Sequence, residues 1–139
     1  MKAITIKQPW ASLIIEAGKD VENRGWHTAF RGPVLIHASK AVDRSAFESA
    51  FELVRGRPVS VPVNWLMVEG EGSDKTVDDW IAMLPRGGII GQVEVVDCVR
   101  HSDSPWFFGP YGHVLANPQP LPFRACRGAL GYWNLGKTA

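Results

Sequence analysis

Residues 2–26 read KAITIKQPWASLIIEAGKDVENRGW, and the order of residue types in this stretch predicts a strand, a short helix and a second strand. The first strand is predicted over 2–6, where β-branched residues precede Pro9. Proline suits the first turn of a helix, because the N–H that it lacks would have no partner there. Apolar residues then recur at helical spacing until Gly18, a residue typical of the position just after a helix. These apolar residues are Trp10, Leu13, Ile14 and Ala17.

The rest of the chain continues this mixture of strand and helix patterns. Further strands are predicted at 21–26, 33–39 and 88–100, and further helices at about 43–54 and 77–84. Prolines crowd the region after residue 100, so its strands, at 113–116 and 129–134, are predicted to be short or to lie at sheet edges. The predicted fold class is therefore α+β, a small, mostly antiparallel β-barrel covered by two or three helices.

The composition is that of one globular domain. With 139 residues, 45% of them apolar and 21% charged, the chain is long enough to bury a hydrophobic core. We predict a single domain over 1–139 with an irregular acidic insertion at about 55–75, where prolines, glycines and acids cluster. The apolar runs are too short to cross a bilayer, and no secretory h-region follows Met1. With two cysteines, this predicts a reduced, cytoplasmic protein with no membrane partner.

Charge is distributed unevenly, although the formal net charge is only +1. Residues 1–44 carry seven Lys or Arg and four Asp or Glu, a net charge of +3, whereas residues 45–80 carry −4 and residues 81–139 carry +2. A basic cleft formed by the two ends is one interpretation, and a solvated acidic helix face is the other. A net charge near zero favours a short or single-nucleotide ligand, because few phosphates can be neutralised.

The densest group of chemically active side chains lies between Lys19 and Trp26. In an extended strand Glu22, Arg24 and Trp26 share one side, because side chains alternate between the two faces. With Lys19 at the preceding turn, the group could hold a phosphate or a base edge, stack a ring, and move a proton. A surface Glu–Arg pair beside a half-buried tryptophan explains the same residues equally well.

Two further groups are candidates. His37, Ser39 and Lys40 end the third predicted strand, where His37 and Ser39 face either a cleft or solvent; a lone histidine in a strand is more often structural. The aromatic loop at 104–113, which includes Trp106, is either a stacking wall for a base or a plug over one end of the barrel. The histidines are scattered and no phosphate-binding glycine motif occurs, so we predict no metal and no cofactor.

Three segments resemble the ASCH family, which has a PUA-like fold. Residues 8–11, Gln-Pro-Trp-Ala, are similar to the family's opening helix, residues 19–24 to its signature G-x-K-x-x-E-x-R, and residues 90–98 to a later core strand. The resemblance runs almost the whole chain and covers the acidic insertion least. In one departure the signature's glycine falls on Ala17, which shifts the turn before Lys19 by one residue.

The resemblance implies a PUA-like barrel with a cleft lined by Lys19, Glu22 and Arg24, and a function in binding RNA or nucleotides. Some relatives hydrolyse N4-acetylcytidine and a ribonuclease activity is ascribed to others, so a metal-independent amidohydrolase or ribonuclease with Lys19 and Glu22 as catalytic residues is the alternative. In the amidohydrolase-like relatives a threonine replaces Glu22, and the opening segment here is closer to the family's coactivator branch. A third hypothesis is a protein-interaction module that recruits a partner through the acidic insertion. The predicted ligand-binding residues are Gln8, Trp10, Lys19, Glu22, Arg24, Trp26, His37, Ser39, Lys40 and Trp106.

Overall fold

The computed structural model describes residues 1–55 and 77–136, in which six strands and three helices follow one another. The strands are β1 (Lys2–Ile6), β2 (Val21–Arg24), β3 (Gly32–Ala38), β4 (Gly88–Val99), β5 (Tyr111–Ala125) and β6 (Tyr132–Asn134). The helices are α1 (Trp10–Glu16), α2 (Arg44–Arg55) and α3 (Val77–Met83). The strand–helix–strand order predicted for residues 2–26 is confirmed. The expected insertion at about 55–75 lies outside the described residues except for its first position, so the single domain over 1–139 stays a prediction.

The six strands form one curled sheet in the order β2-β5-β4-β3-β1-β6. Every neighbouring pair is antiparallel except β1 and β3, which run parallel. The α+β class and the mostly antiparallel, barrel-like sheet are therefore confirmed. Within residues 1–55 and 77–136 no strand pairing joins the edge strands β2 and β6, so the sheet is a half-barrel with an opening between these edges. We call this opening the seam.

Helix α1 connects two hydrophobic clusters. Its residue Ile14 packs into the cluster on the sheet, together with Ile36 and Val93, whereas the neighbouring Leu13 packs against α2 and α3 in a second cluster that contains Trp80. A seven-residue helix is too short to be stable by itself, and burial of each large apolar side chain contributes about 1.5–3 kcal/mol. Packing on both sides therefore holds α1 in place and fixes where the chain leaves it.

Strand β5 corrects the expectation of short strands after residue 100. It runs for 15 residues and includes Pro118, Pro120 and Pro122. It pairs with β4 along most of this length but with β2 only at residues 111–114. Beyond residue 114, the side of β5 that faces away from β4 has no strand partner among the described residues, and an open edge of this kind tolerates proline. The prolines thus mark an open edge, as predicted, without shortening the strand.

Candidate functional site

Strand β2 brings Glu22 and Arg24 to the same side, as the period of a strand predicts. Arg24 Nε donates a hydrogen bond to Glu22 Oε2 at 2.8 Å. Arg24 Nη2 donates a second one, also at 2.8 Å, to the carbonyl oxygen of Thr5 on β1. Arg24 therefore spans the seam, and two of its donors are already used by the protein itself.

Lys19 reaches the same carboxylate from the end of α1. Gly18 adopts a φ of +75°, which glycine tolerates without strain, and the chain turns there so that the Lys19 N–H bonds the Leu13 carbonyl oxygen at 3.2 Å. The Lys19 side chain is buried, its ammonium donates to the Val21 carbonyl oxygen, and its Nζ lies 3.6 Å from Glu22 Oε1. The shift of the turn onto Gly18 therefore leaves Lys19 beside Glu22.

Burial lowers the pKa of Lys19 below its ordinary value of 10.5, because a buried ammonium loses the hydration that stabilises its charge. The Glu22 carboxylate acts in the opposite direction and raises this pKa, while Arg24 lowers it further; the effect of burial is the largest. Lys19 therefore releases its proton more readily than an exposed lysine does, even with a carboxylate beside it.

These side chains open into a small pocket, which we call the Trp10–Phe108 pocket. It has a volume of about 250 Å³ and is lined by Trp10, Lys19, Glu22, Asn23 and Phe108. The Lys19 ammonium lies 5.7 Å from the centre of the Trp10 ring, within range of a cation–π contact. The volume is just below the roughly 300–1,000 Å³ of typical small-molecule sites, so the pocket suits a single small ring.

The loop at 104–109 is fastened to β2 and carries one wall of the pocket. Asn23 Oδ1 accepts the N–H groups of Phe108 and Gly109 at 2.7 and 3.0 Å, and Asn23 Nδ2 donates to the Trp106 carbonyl oxygen at 3.0 Å. The Ser104 hydroxyl donates to Asp20 Oδ1 at 2.5 Å. These bonds leave the Phe108 side chain 58% exposed at the pocket. The loop backbone is therefore held in place at Phe108, and the Phe108 ring is exposed at the pocket.

Comparison with known families shows that residues 4–108, about three quarters of the chain, match the ASCH domain family. The chain belongs to the ASCH family. It is similar to Activating signal cointegrator 1 from Homo sapiens, at 27% identity over 135 residues, and to the Mus musculus protein of the same name, at 28%. Each match covers 85% of this chain but 19% of the relative, so the chain spans about a fifth of these relatives' length. All five residues of the Trp10–Phe108 pocket lie within the matched range.

A second buried polar group of this ASCH domain lies at the seam behind Glu22. His113 on β5 is directly opposite Glu22 in the β2–β5 pairing and is fully buried. Its Nε2 lies 3.0 Å from the Trp26 carbonyl oxygen, and its Nδ1 lies 2.7 Å from the Tyr132 hydroxyl on β6. Because a carbonyl only accepts, Nε2–H donates to Trp26, and the Tyr132 hydroxyl donates to Nδ1. Burial lowers the pKa of His113 and raises that of Tyr132, so both side chains stay neutral near pH 7.

The predicted ligand-binding residues lie in several different parts of the structure. Trp10, Lys19 and Glu22 line the Trp10–Phe108 pocket, and Arg24 lies directly behind Glu22. Trp26 is 38% exposed and meets the ring of His113 edge-on, with 4.8 Å between ring centres.

The remaining predicted ligand-binding residues lie elsewhere. Gln8 is buried, where its amide bonds the Ser12 hydroxyl, the Ser12 N–H and the Pro85 carbonyl oxygen, and Trp106 is buried in the cluster around α2 and α3. His37, Ser39 and Lys40 line a different groove, and Thr5 also lines it.

Sequence reasoning missed Asn23, Phe108, His113 and Tyr132 as parts of the site. Asn23 lies within the Lys19–Arg24 signature, between Glu22 and Arg24. This position could have identified it as a candidate from the sequence. Phe108 was considered only as a member of the aromatic loop. Nothing local to Tyr132 identifies it, because it joins the site only when β6 approaches β2 across the seam.

No group of three or more His, Cys, Asp or Glu side chains in residues 1–55 and 77–136 is arranged to hold a metal ion. None of the helices in the same part of the chain is long and apolar enough to cross a membrane.

Proposed function

We propose that this ASCH domain binds a nucleotide, or one base of an RNA strand, in the Trp10–Phe108 pocket. The observation that supports this is a buried Lys19–Glu22 ion pair that shares one small pocket with two aromatic side chains. A lysine donates and a carboxylate accepts, which are the two capacities needed along a base edge. An exposed aromatic ring such as Phe108 stacks on a base face whatever the base.

Within this proposal Arg24 positions Glu22. The guanidinium is tied on one side to Glu22 Oε2 and on the other to the Thr5 carbonyl oxygen, so neither of those donors is available for a phosphate. A fixed carboxylate binds a donor more tightly than a mobile one does, because less conformational freedom is lost on binding. We therefore expect Arg24 to act on the ligand through Glu22 and Lys19.

The binding proposal is tested by calorimetric titration of the protein with nucleosides, nucleotides and short RNAs, including N4-acetylcytidine. The Phe108→Ala variant should bind the ligand of the wild type about 1–3 kcal/mol more weakly, because one stacking surface is lost. Phe123→Ala is the matched control, since Phe123 is also half exposed but lies outside the pocket. Equal affinity in Phe108→Ala and wild type would show that Phe108 does not contact the ligand, and would contradict the assignment of this pocket as the binding site.

A metal-independent hydrolase is the second candidate, and the lowered pKa of Lys19 favours it. A buried amine that loses its proton readily can act as a general base on water, with Glu22 positioned to take up the proton. The same titrations, followed over time, test the idea: release of acetate from N4-acetylcytidine, or cleavage of the RNA, should occur with wild type and stop in Lys19→Ala. Binding without any product would leave the domain as a binding module.

Two further expectations stay predictions. A role for the acidic insertion in recruiting a protein partner rests on residues 56–75, which lie outside those described. The cytoplasmic location rests on composition alone. A pull-down that compares the full chain with a variant in which the acids of the insertion are replaced by Ser addresses the first of them.

A further inference from the structure

A second and larger groove lies where the end of β3 meets the segment between β5 and β6. It encloses about 920 Å³ and is open to solvent. We call it the Lys40–Arg127 groove. Its lining residues come from β1, from the ends of β3 and β5, and from the segment that follows β5, and include Thr5, His37, Lys40, Gly87, Arg127 and Gly128.

Among residues 1–55 and 77–136, the groove carries two cations and no acid. Lys40 and Arg127 are exposed, neither forms an ion pair with a described residue, and none of the described Asp or Glu residues lines the groove. The stem of Lys40 lies along Gly87, where an added Cβ would be 3.6 Å from the Lys40 Cβ, and Arg86 Nη1 donates to the Lys40 carbonyl oxygen at 2.8 Å. Lys40 is therefore held at its base, while its ammonium has no ion-pair partner among the described residues. Two unpaired cations beside one groove favour an anionic ligand.

The groove also contains an unsatisfied acceptor. His37 is buried, and its Nε2 lies 2.8 Å from the Cys126 carbonyl oxygen. A carbonyl only accepts, so Nε2 carries the hydrogen and Nδ1 of the neutral ring is an acceptor. His37 Nδ1 is the one buried side-chain nitrogen or oxygen without a partner among residues 1–55 and 77–136. Gly128 lies against this ring, since an added Cβ there would be only 2.9 Å from Nδ1. A ligand hydroxyl that displaces the Gly128 backbone would satisfy it.

The groove and the Trp10–Phe108 pocket are neighbours. Thr5 lines the groove, its carbonyl oxygen accepts from Arg24, and Arg24 in turn binds Glu22 of the pocket. A single guanidinium thus connects the wall of one site to the wall of the other. A ligand that occupies both sites would run across Arg24 along the seam.

We propose that the Lys40–Arg127 groove holds the sugar–phosphate backbone of an RNA strand, one base of which occupies the Trp10–Phe108 pocket. Lys40 and Arg127 contact phosphates, and His37 Nδ1 accepts a hydrogen bond from a ribose 2′-hydroxyl once Gly128 has moved aside. This chemistry requires a ligand that combines anions with a hydroxyl donor, which the RNA backbone does and DNA does not. The inference rests on the proposed function of the pocket.

The experiment compares a mononucleotide with a five-nucleotide RNA that contains it, by fluorescence anisotropy at several salt concentrations. Two phosphate contacts predict a slope of log K against log salt of about −1.4 for the RNA, which should fall in magnitude by about 0.7 in Lys40→Ala and in Arg127→Ala. Mononucleotide affinity should not change in either variant. The controls Lys2→Ala and Arg100→Ala remove the same charges from residues that do not line the groove, and should leave the slope unchanged.

The possible outcomes distinguish failure of the groove proposal from failure of the pocket proposal. The groove proposal would be overturned if the RNA and the mononucleotide bound equally well and the salt slope were unchanged in both groove variants. The proposal that the pocket binds a base would still stand. Binding of neither ligand would overturn both proposals. A DNA strand of the same sequence should bind about two- to tenfold more weakly, because one hydrogen bond is lost. Equal affinity for the DNA would overturn the contact between the ribose and His37.

Discussion

Lys19 illustrates how burial and a neighbouring charge compete at one residue. The Glu22 carboxylate, three positions later, favours the charged ammonium and so acts against a role as a base. The fold adds what the sequence does not state: Lys19 is 4% exposed, and it lies beneath the Trp10 ring. Loss of hydration then outweighs the attraction of Glu22, so the direction of the pKa shift is set by the depth of the pocket.

This shift predicts a pH dependence of the free energy of unfolding. Between the lowered pKa of folded Lys19 and 10.5, the unfolded chain binds a proton that the folded chain does not, so stability rises with pH across that window. Lys19→Met removes the titration. The stability of wild type relative to Lys19→Met should therefore increase from pH 7 to pH 10 in urea unfolding experiments.

The matched control for Lys19→Met is the same substitution at Lys40, whose side chain is exposed. This substitution removes a lysine without changing the buried Lys19–Glu22 pair, so Lys40→Met should leave the pH dependence of the wild type in place. Parallel curves for wild type and Lys19→Met would show that burial does not control the proton on Lys19.

At the scale of elements, local sequence patterns predicted most helices and strands, because the residues within such an element largely determine whether it forms. The apolar spacing from Trp10 to Ala17 predicts α1, and Gly18 predicts where it ends. The length of β5 was not predictable in this way. Its prolines are compatible with a strand because one side of β5 has no strand partner beyond residue 114 in the part of the chain that the structure describes, and that is a property of the sheet.

The same limit applies to the candidate site. Lys19 and Glu22 were predictable because they are three residues apart on a turn and the strand that follows it. Phe108, His113 and Tyr132 come from distant parts of the chain, and pairing of β2 with β5 or approach across the seam brings them together. His37 and Lys40 were predicted to bind the ligand as a separate group at the end of the third predicted strand. The curl of the sheet places them in another groove.

The contact between α1 and β4 yields a prediction for one glycine. An added Cβ at Gly91 would lie 2.5 Å from Ile15 Cδ1 and 2.7 Å from the backbone oxygen of Gln119. Because backbone is one of the two neighbours, Gly91→Ala should force a shift and reduce the free energy of unfolding by about 1–3 kcal/mol. Urea unfolding measures this loss.

Gly25→Ala is the control for Gly91→Ala. Nothing lies within 4 Å of an added Cβ at Gly25, and its φ is not in the left-handed region. The substitution should therefore change stability by no more than about 0.5 kcal/mol. If Gly91→Ala were as stable as Gly25→Ala, the close approach of α1 to the sheet would be wrong.

At the scale of the whole molecule, side chains replace backbone pairing where the half-barrel is open. The hydrogen bond from Tyr132 to His113 joins β6 to β5 across the seam, and Arg24 joins β2 to β1. Aromatic packing supports these bonds, since Phe30 stacks on the Tyr132 ring at 4.9 Å between centres. The candidate site is thus built into the closure of the fold, and both proposed ligand sites depend on it.

Arg24 should therefore contribute to stability as well as to the site. Arg24→Ala would leave the Thr5 carbonyl oxygen without its donor across the seam, and Glu22 would keep Lys19 as its remaining cation. The loss should lower the free energy of unfolding by about 1–3 kcal/mol. Arg24→Lys keeps the charge but cannot span both acceptors with a fork, so its stability should lie between those of wild type and Arg24→Ala. Arg127→Ala removes an exposed arginine without a described hydrogen bond and should stay within about 0.5 kcal/mol of wild type. If Arg24→Ala matched Arg127→Ala, Arg24 would contribute nothing to closing the seam, and its place would be with the ligand.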